Sequence, residues 1–208
     1  MSILATVALI SYLLGSFPAG YLAGRIAGVD IRKIGSGNIG ATNVLRVLGK
    51  QFGYPVFLID FAKGFAAVLL AMFVARRSAG EATYVEFCAA VGGVCAVLGH
   101  SFPVWLRFKG GKGVATSIGV LFGLLPVAAL IVCAVWIVTF ELSRYVSLAS
   151  IIAALTLPAT VVALRFFGEP TTPVLFYFSL FLAAVVILRH RSNLARLFRG
   201  TEPRFRRK

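Results

Sequence analysis

"VATSIGVLFGLLPVAALIVCAVWIVTF", residues 114–140, is apolar along its whole length and carries no charge. As one helix its 27 residues would measure about 40 Å. That exceeds the roughly 30 Å hydrocarbon core of a bilayer. Gly123 and then Pro126 interrupt the run. Proline lacks the backbone N–H that a helix interior needs, and its ring clashes with the preceding turn. The pattern therefore predicts two short helices in 114–140, turning near the outer face of a membrane. A single long tilted helix is the competing reading.

Charge around this stretch favours the split. Five further apolar blocks cover residues 3–23, 54–75, 84–106, 146–164 and 174–188. The chain is 59% hydrophobic and 13% charged, against about 25% charged for a soluble domain. Mean hydropathy is +0.92. So little charge could not solubilise so much apolar surface, which excludes a soluble globule. Loop 25–50 carries Arg25, Arg32, Lys33, Arg46 and Lys50, and loop 107–113 carries Arg107, Lys109 and Lys112. Eight more basic residues follow from Arg189. Basic loops stay in the cytoplasm. Six crossings from an outside N-terminus would strand the basic tail outside, whereas seven return it. The split leaves 17 of the 21 Lys and Arg residues inside.

The expected architecture is thus an all-α integral membrane protein, a seven-helix transmembrane bundle. Its N-terminus lies outside and its C-terminus in the cytoplasm. No Lys or Arg precedes the first apolar run, so this reads as a retained helix rather than a signal peptide. One transmembrane domain, 1–208, ends in a basic cytoplasmic tail, 189–208.

Lys and Arg outnumber Asp and Glu by 21 to 7, a net charge of +14. Nucleic acid is not the expected partner, because the cations sit in short loops between apolar blocks. Anionic lipid and phosphate-bearing substrates fit better. Cys88, Cys95 and Cys133 lie inside apolar blocks without CxxC spacing, which points to packing rather than to metal or disulfide chemistry.

Four polar stretches fall on the predicted inner side. The first is "GSGNIGATN", 35–43. Gly35, Gly37 and Gly40 match G-x-G-x-x-G, yet no strand or βαβ unit surrounds them, so a dinucleotide fold is not indicated. The physics of the motif still applies: glycines let backbone N–H groups close on an anion, and a following helix presents its positive end. Ser36, Asn38, Thr42 and Asn43 add short hydrogen-bonding groups, and a helix from "ATNVLRVLGK" would place Arg46 one turn in. The second is "RFKGGKGVATS", 107–117, where Gly110, Gly111 and Gly113 surround Lys112. A Walker A loop would need Ser or Thr after the lysine, so this reads as a separate anion cradle. The third is "HRSNLAR", with His190, Asn193 and Arg196 at i, i+3 and i+6; a continuing helix would gather them on one side. The fourth, "ELSRYVS" at 141–147, holds Ser143 and Ser147. Asp60 and Lys63 form an i, i+3 pair within an apolar block, read equally as functional or self-neutralising. His100 in "GHSFP" reads rather as structural.

"GSGNIGATN", "GHSFPVWLRFKGGKGVAT" and "HRSNLARLFRGTE", in that order and over nearly the whole chain, resemble the acyl-phosphate:glycerol-3-phosphate acyltransferases, the PlsY family. The resemblance implies a bacterial inner-membrane enzyme of seven helices with a cytoplasm-facing site. It would transfer a fatty acyl group from acyl phosphate to the sn-1 hydroxyl of glycerol 3-phosphate, giving lysophosphatidic acid. By position, the family's phosphate loop falls on Ser36 to Asn43, its acceptor-binding arginine on Arg46 and its glycine-flanked lysine on Lys112. Its tail histidine and asparagine fall on His190 and Asn193. Its serine corresponds best to Ser147, with Ser143 the alternative.

Mechanistic signatures are few. The residue at the H-x-x-x-x-D aspartate position is Trp105 after His100 and Ala195 after His190. There is no G-x-S-x-G elbow. The pattern therefore favours direct attack on the mixed anhydride without an acyl-enzyme. Ser36, Lys112, His190 and Asn193 are the expected catalytic set. No cofactor, metal or obligate protein partner is indicated. The rival class, a transporter for a phosphorylated metabolite, would place its polar groups near mid-membrane.

Overall fold

The computed structural model describes residues 2–78, 81–169 and 171–205. The last three residues of the predicted basic tail, Arg206, Arg207 and Lys208, lie outside the described residues. The described chain is helical, and it divides into two compact units, Met1–Leu124 and Leu125–Lys208.

The first unit holds α1 (Ile3–Ser16), α2 (Ala19–Ile26), α3 (Ala41–Leu48), α4 (Lys50–Ser78), α5 (Ala82–Ser101) and α6 (Val114–Leu124). Short 3₁₀ turns occupy Ile31–Lys33 and Val104–Leu106. The apolar run 3–23, read as one helix, is broken in two. Pro18 disfavours helical geometry in the residue before it, and Phe17 accordingly turns to φ −57°, ψ 118°. Helix pairs approach through small residues. A methyl on Gly15 would strike the Ala96 backbone, and one on Gly99 the Tyr12 carbonyl, so α1 lies directly on α5. Gly64 meets the Thr116 carbonyl and Gly119 the Phe61 carbonyl, which does the same for α4 and α6. Lipid offers helices no hydrophobic drive to associate, so van der Waals contact at glycine must supply it.

The second unit holds α7 (Pro126–Ser143), α8 (Val146–Phe166), α9 (Pro173–Arg189) and α10 (Arg191–Phe198). The predicted break in 114–140 is present: α6 ends at Leu124 and α7 starts with Pro126 at its first position, where the missing N–H costs nothing. Leu130, Ile137, Val138 and Leu155 stay exposed on α7 and α8, a surface suited to lipid. His190 separates α9 from α10, and the two helices meet at 59°. The expectation of one continuing helix through His190 is therefore corrected. His190 adopts φ −99°, ψ 8°, and its N–H bonds back to Ile187 and Val186 in a tightened last turn.

Among the described residues, five helical stretches are long and apolar enough to cross a bilayer, and the bent α9–α10 pair would make a sixth. α6 is apolar but has only 11 residues, about 16 Å of helix.

Candidate functional site

The first glycine loop is organised by one neutral side chain. Asn43 lies in the first turn of α3 and is 3% exposed. Its Oδ1 accepts the Ser36 N–H at 2.8 Å. Its Nδ2 donates to the carbonyls of Asn38 at 2.9 Å, Ile34 at 3.1 Å and Ile31 at 3.3 Å. Asn38 Oδ1 in turn accepts the Gly40 N–H at 2.8 Å, closing the entry to the helix. Gly35 needs its glycine twice over: φ is +64°, and a Cβ there would meet Asn43 Oδ1. With the two amides spent on shaping the loop, Ser36 is left exposed at its tip. Thr42 sits at the N-terminal turn of α3, where backbone N–H groups have no intrahelical partner. Arg46 is exposed on that helix, a little over one turn from its start at Ala41, as expected. Beside the loop, the Arg32 guanidinium bonds both oxygens of Asp30 at 2.8 and 2.9 Å. That hydrogen bonding holds the Asp30 carboxyl at about 2, below the usual range.

The second loop is built on the end of α5. Gly110 N–H donates to the Ser101 carbonyl at 3.2 Å and Gly111 N–H to the His100 carbonyl at 3.0 Å. Either glycine bearing a Cβ would run into His100, at its carbonyl for Gly110 and at its ring for Gly111. Arg107 and Phe108 both take left-handed backbone angles, φ 53° and 61°. Such angles are uncommon for non-glycine residues and gather where a chain is held in one particular shape. Gly113, at φ +80°, then feeds Lys112 into the start of α6.

The second unit contributes a cluster around a carboxylate that the sequence motifs did not single out as a site residue. Glu202 Oε1 accepts Ser147 Oγ at 2.6 Å and Asn193 Nδ2 at 2.7 Å, and Oε2 accepts Arg196 Nε at 2.8 Å. Burial works to raise the Glu202 pKa, but bonds from Ser147, Asn193 and Arg196 outweigh it and hold the carboxyl below its usual range. Ser147 is buried within this cluster, whereas Ser143 turns back to the Thr139 carbonyl at 2.7 Å. The segment after Glu202 is tied down too: Phe205 N–H donates to the Arg144 carbonyl at 2.8 Å and Arg204 Nε to Tyr145 Oη at 3.1 Å. The only signal for Glu202 was a single acid amid "RGTEPRFRR".

His190 is 2% exposed. Its Nδ1 lies 2.8 Å from the Val186 carbonyl, an acceptor, so Nδ1 carries the proton. In the neutral ring Nε2 is then the accepting nitrogen.

An apolar helical chain with two glycine-shaped cationic loops in one unit and, in the other, a buried His190 and a Ser147–Asn193–Arg196 cluster on Glu202 is an integral membrane protein equipped for anions. Residues 5–200 match the model of the family described as glycerol-3-phosphate acyltransferase. The glycerol-3-phosphate acyltransferase of Synechococcus elongatus is 49% identical over 199 residues, 95% of this chain and 92% of that protein. Two crystal structures of PlsY, an integral membrane glycerol 3-phosphate acyltransferase, are 40% identical and cover 99% of this chain and 96% of theirs. The glycerol 3-phosphate form superposes with a TM-score of 0.85 and the lysophosphatidic acid form with 0.83. The chain belongs to the glycerol-3-phosphate acyltransferase family, PlsY type.

Proposed function

We propose that this protein moves a fatty acyl group from acyl phosphate to the sn-1 hydroxyl of glycerol 3-phosphate, releasing lysophosphatidic acid and inorganic phosphate. The observation that carries the reading is the similarity, end to end, to an acyltransferase whose two forms hold the acceptor and the acylated product. The glycine loops support the choice of donor. Ser36, with Gly35, Gly37, Asn38, Gly40 and Thr42, would meet a phosphate at the first loop, shaped by Asn43. Lys112, between Gly111 and Gly113, supplies a point charge at the second. Arg46, His190 and Asn193, with Ser147 and Arg196, would hold glycerol 3-phosphate.

In the proposed step the acceptor hydroxyl oxygen bonds to the acyl carbonyl carbon. The bond from that carbon to the bridging phosphate oxygen breaks, and phosphate departs with the electron pair. The hydroxyl proton goes to a substrate phosphate oxygen or to His190 Nε2. The anhydride is already activated, so the protein's task is alignment and neutralisation of charge. The acyl chain stays in lipid while its phosphate lies at the cytoplasmic rim of the inner membrane. The basic loops support that orientation, with seven crossings, an outside N-terminus and one catalytic domain over 1–208.

The test is acyl transfer by purified protein with acyl phosphate, acyl-CoA or acyl-carrier protein as the sole donor. Product from acyl phosphate alone is expected; transfer only from a thioester would refute the donor. Lys112→Ala should lower the rate by about two orders of magnitude or more, the scale of losing a charged stabiliser of developing negative charge. Substantial turnover by His190→Gln would assign the proton to the substrate phosphate.

A further inference from the structure

Asp60 and Lys63 lie near the middle of α4, a helix of 29 residues that is long and apolar enough to cross a bilayer. Neither has a part in the step above. Asp60 is 2% exposed and Lys63 5%. Ionisable groups inside a membrane helix are costly, and their presence points to a task. Lys63 Nζ lies 2.8 Å from Asp60 Oδ1, so the two charges cancel. Cancellation explains how the pair is tolerated but not why it is there. Two well-packed apolar side chains would stabilise α4 as well or better.

A second bond of the lysine supplies the reason. Lys63 Nζ also donates at 3.1 Å to the Phe17 carbonyl. Phe17 is where α1 ends, and after Pro18 the chain turns into α2. The same carbonyl accepts the Ala19 N–H at 3.1 Å across that turn. A cation from α4 thus holds the break itself. The helix that leaves the break lies directly on the first glycine loop. A Cβ on Gly20 would strike the Ile39 carbonyl and come within 3.2 Å of the Val44 side chain. Ile39 and Val44 are both buried, and they bracket the loop-closing Asn43. Phe17, Gly20, Ile39 and Lys63 line one narrow crevice. No flexible side chain intervenes between α2 and the loop backbone, so a shift at the break passes straight to residues 38–44.

We propose that Lys63, charge-balanced by Asp60, is a positioning residue: it pins the α1–α2 break at Phe17 and, through Gly20 on Ile39, holds the backbone of the first glycine loop in place behind Ser36. The inference rests on the reading above in which that loop meets a substrate phosphate. Asp60 is then an accessory that keeps a buried cation tolerable, and the structural task belongs to the lysine.

The experiment uses the full-length protein in nanodiscs. Initial rates are measured with palmitoyl phosphate and glycerol 3-phosphate saturating, alongside thermal unfolding and hydrogen exchange. The double variant Asp60→Asn, Lys63→Met removes both charges together. Its melting temperature should stay within about 5 °C of the native value. Its kcat should fall at least about tenfold, because a small misplacement of a binding loop is costly. Amide exchange over residues 34–43 should quicken by about tenfold, with exchange in α5 unchanged. A pair that serves only to neutralise itself would leave kcat and loop exchange native in this variant, and that result overturns the proposal. Should the double variant fail to fold, the two single variants decide. Asp60→Asn keeps the bond to Phe17 and should retain most of its rate, whereas Lys63→Gln should not; equal losses overturn the assignment to the lysine. Ser36→Ala separates the two layers. If Ser36→Ala abolishes transfer while the double variant turns over normally, only the positioning role falls. Native rates in Ser36→Ala sink the loop reading and this inference with it.

Discussion

Two polar centres in this molecule are assembled by opposite means. The first glycine loop closes around Asn43, a neutral amide that both accepts and donates, and every partner lies within 12 residues in the chain. The tail cluster closes around Glu202, an anion that only accepts, and its partner Ser147 is 55 residues away. A neutral hub can satisfy carbonyls and N–H groups together, so it suits a loop made of backbone. A carboxylate suits a cluster of side-chain donors, and its charge offsets the Arg196 guanidinium. The lesson is that the two hubs should fail differently when their charge is changed.

Exchanging the charges is the sharpest way to break this contrast. Asn43→Asp keeps the shape but turns a donor that serves three carbonyls into a repelling oxygen. Each hydrogen bond lost at a buried group costs about 1–3 kcal/mol. The first loop should open and acyl transfer should fall by at least about 100-fold, read as initial rate with both substrates saturating. Glu202→Gln is the reverse exchange. It retains one acceptor oxygen, so a smaller loss is expected, about 2 kcal/mol of stability, seen as a lowered melting temperature in detergent. Equal damage from both would remove the distinction between the hubs.

Acid separates them further. The Glu202 carboxyl is held below its ordinary range, so its contribution is complete above the unfolded value near 4.3 and fades as pH falls through the lower folded value. Asn43 does not titrate, and the adjoining Asp30 stays ionised down to about 2. Protease nicking or hydrogen exchange followed from pH 6 downward should therefore loosen residues around 193–202 before residues 34–43. The reverse order would sink the assignment. The smallest expected effect compares two serines. Ser147→Ala removes a 2.6 Å bond to Glu202 and should cost about 1 kcal/mol, while Ser143→Ala, which loses a bond within its own helix and a 3.2 Å bond from the Tyr145 N–H, should cost less, about 0.5 kcal/mol.

Much of the architecture was legible in the sequence because the relevant signals are local. The break before Pro126 follows from the missing N–H of one residue, and the glycine loops from the residue types that fit left-handed backbone. The break at Pro18 carried the same signal, but the apolar run continues through it and masked the change of direction. The bend at His190 depends on backbone angles that i, i+3, i+6 spacing cannot report. Glu202 was invisible for a different reason: its partners come from α8 and α10, and no periodicity links residue 147 to residue 202. His100 and Asp60 likewise come within 3.3 Å only once α4 and α5 are packed.

The glycines at the α1–α5 and α4–α6 contacts bear on how this enzyme could be engineered. Replacing helical glycine by alanine is a routine route to a hardier protein, since it lowers the entropy of the unfolded chain. At Gly15, Gly64, Gly99 and Gly119 that route is closed, because the added carbon would land on the main chain of the neighbouring helix rather than on a side chain able to swing aside. Attempts to toughen the protein for biotechnology must therefore begin on its lipid-facing and loop positions and leave these four sites untouched.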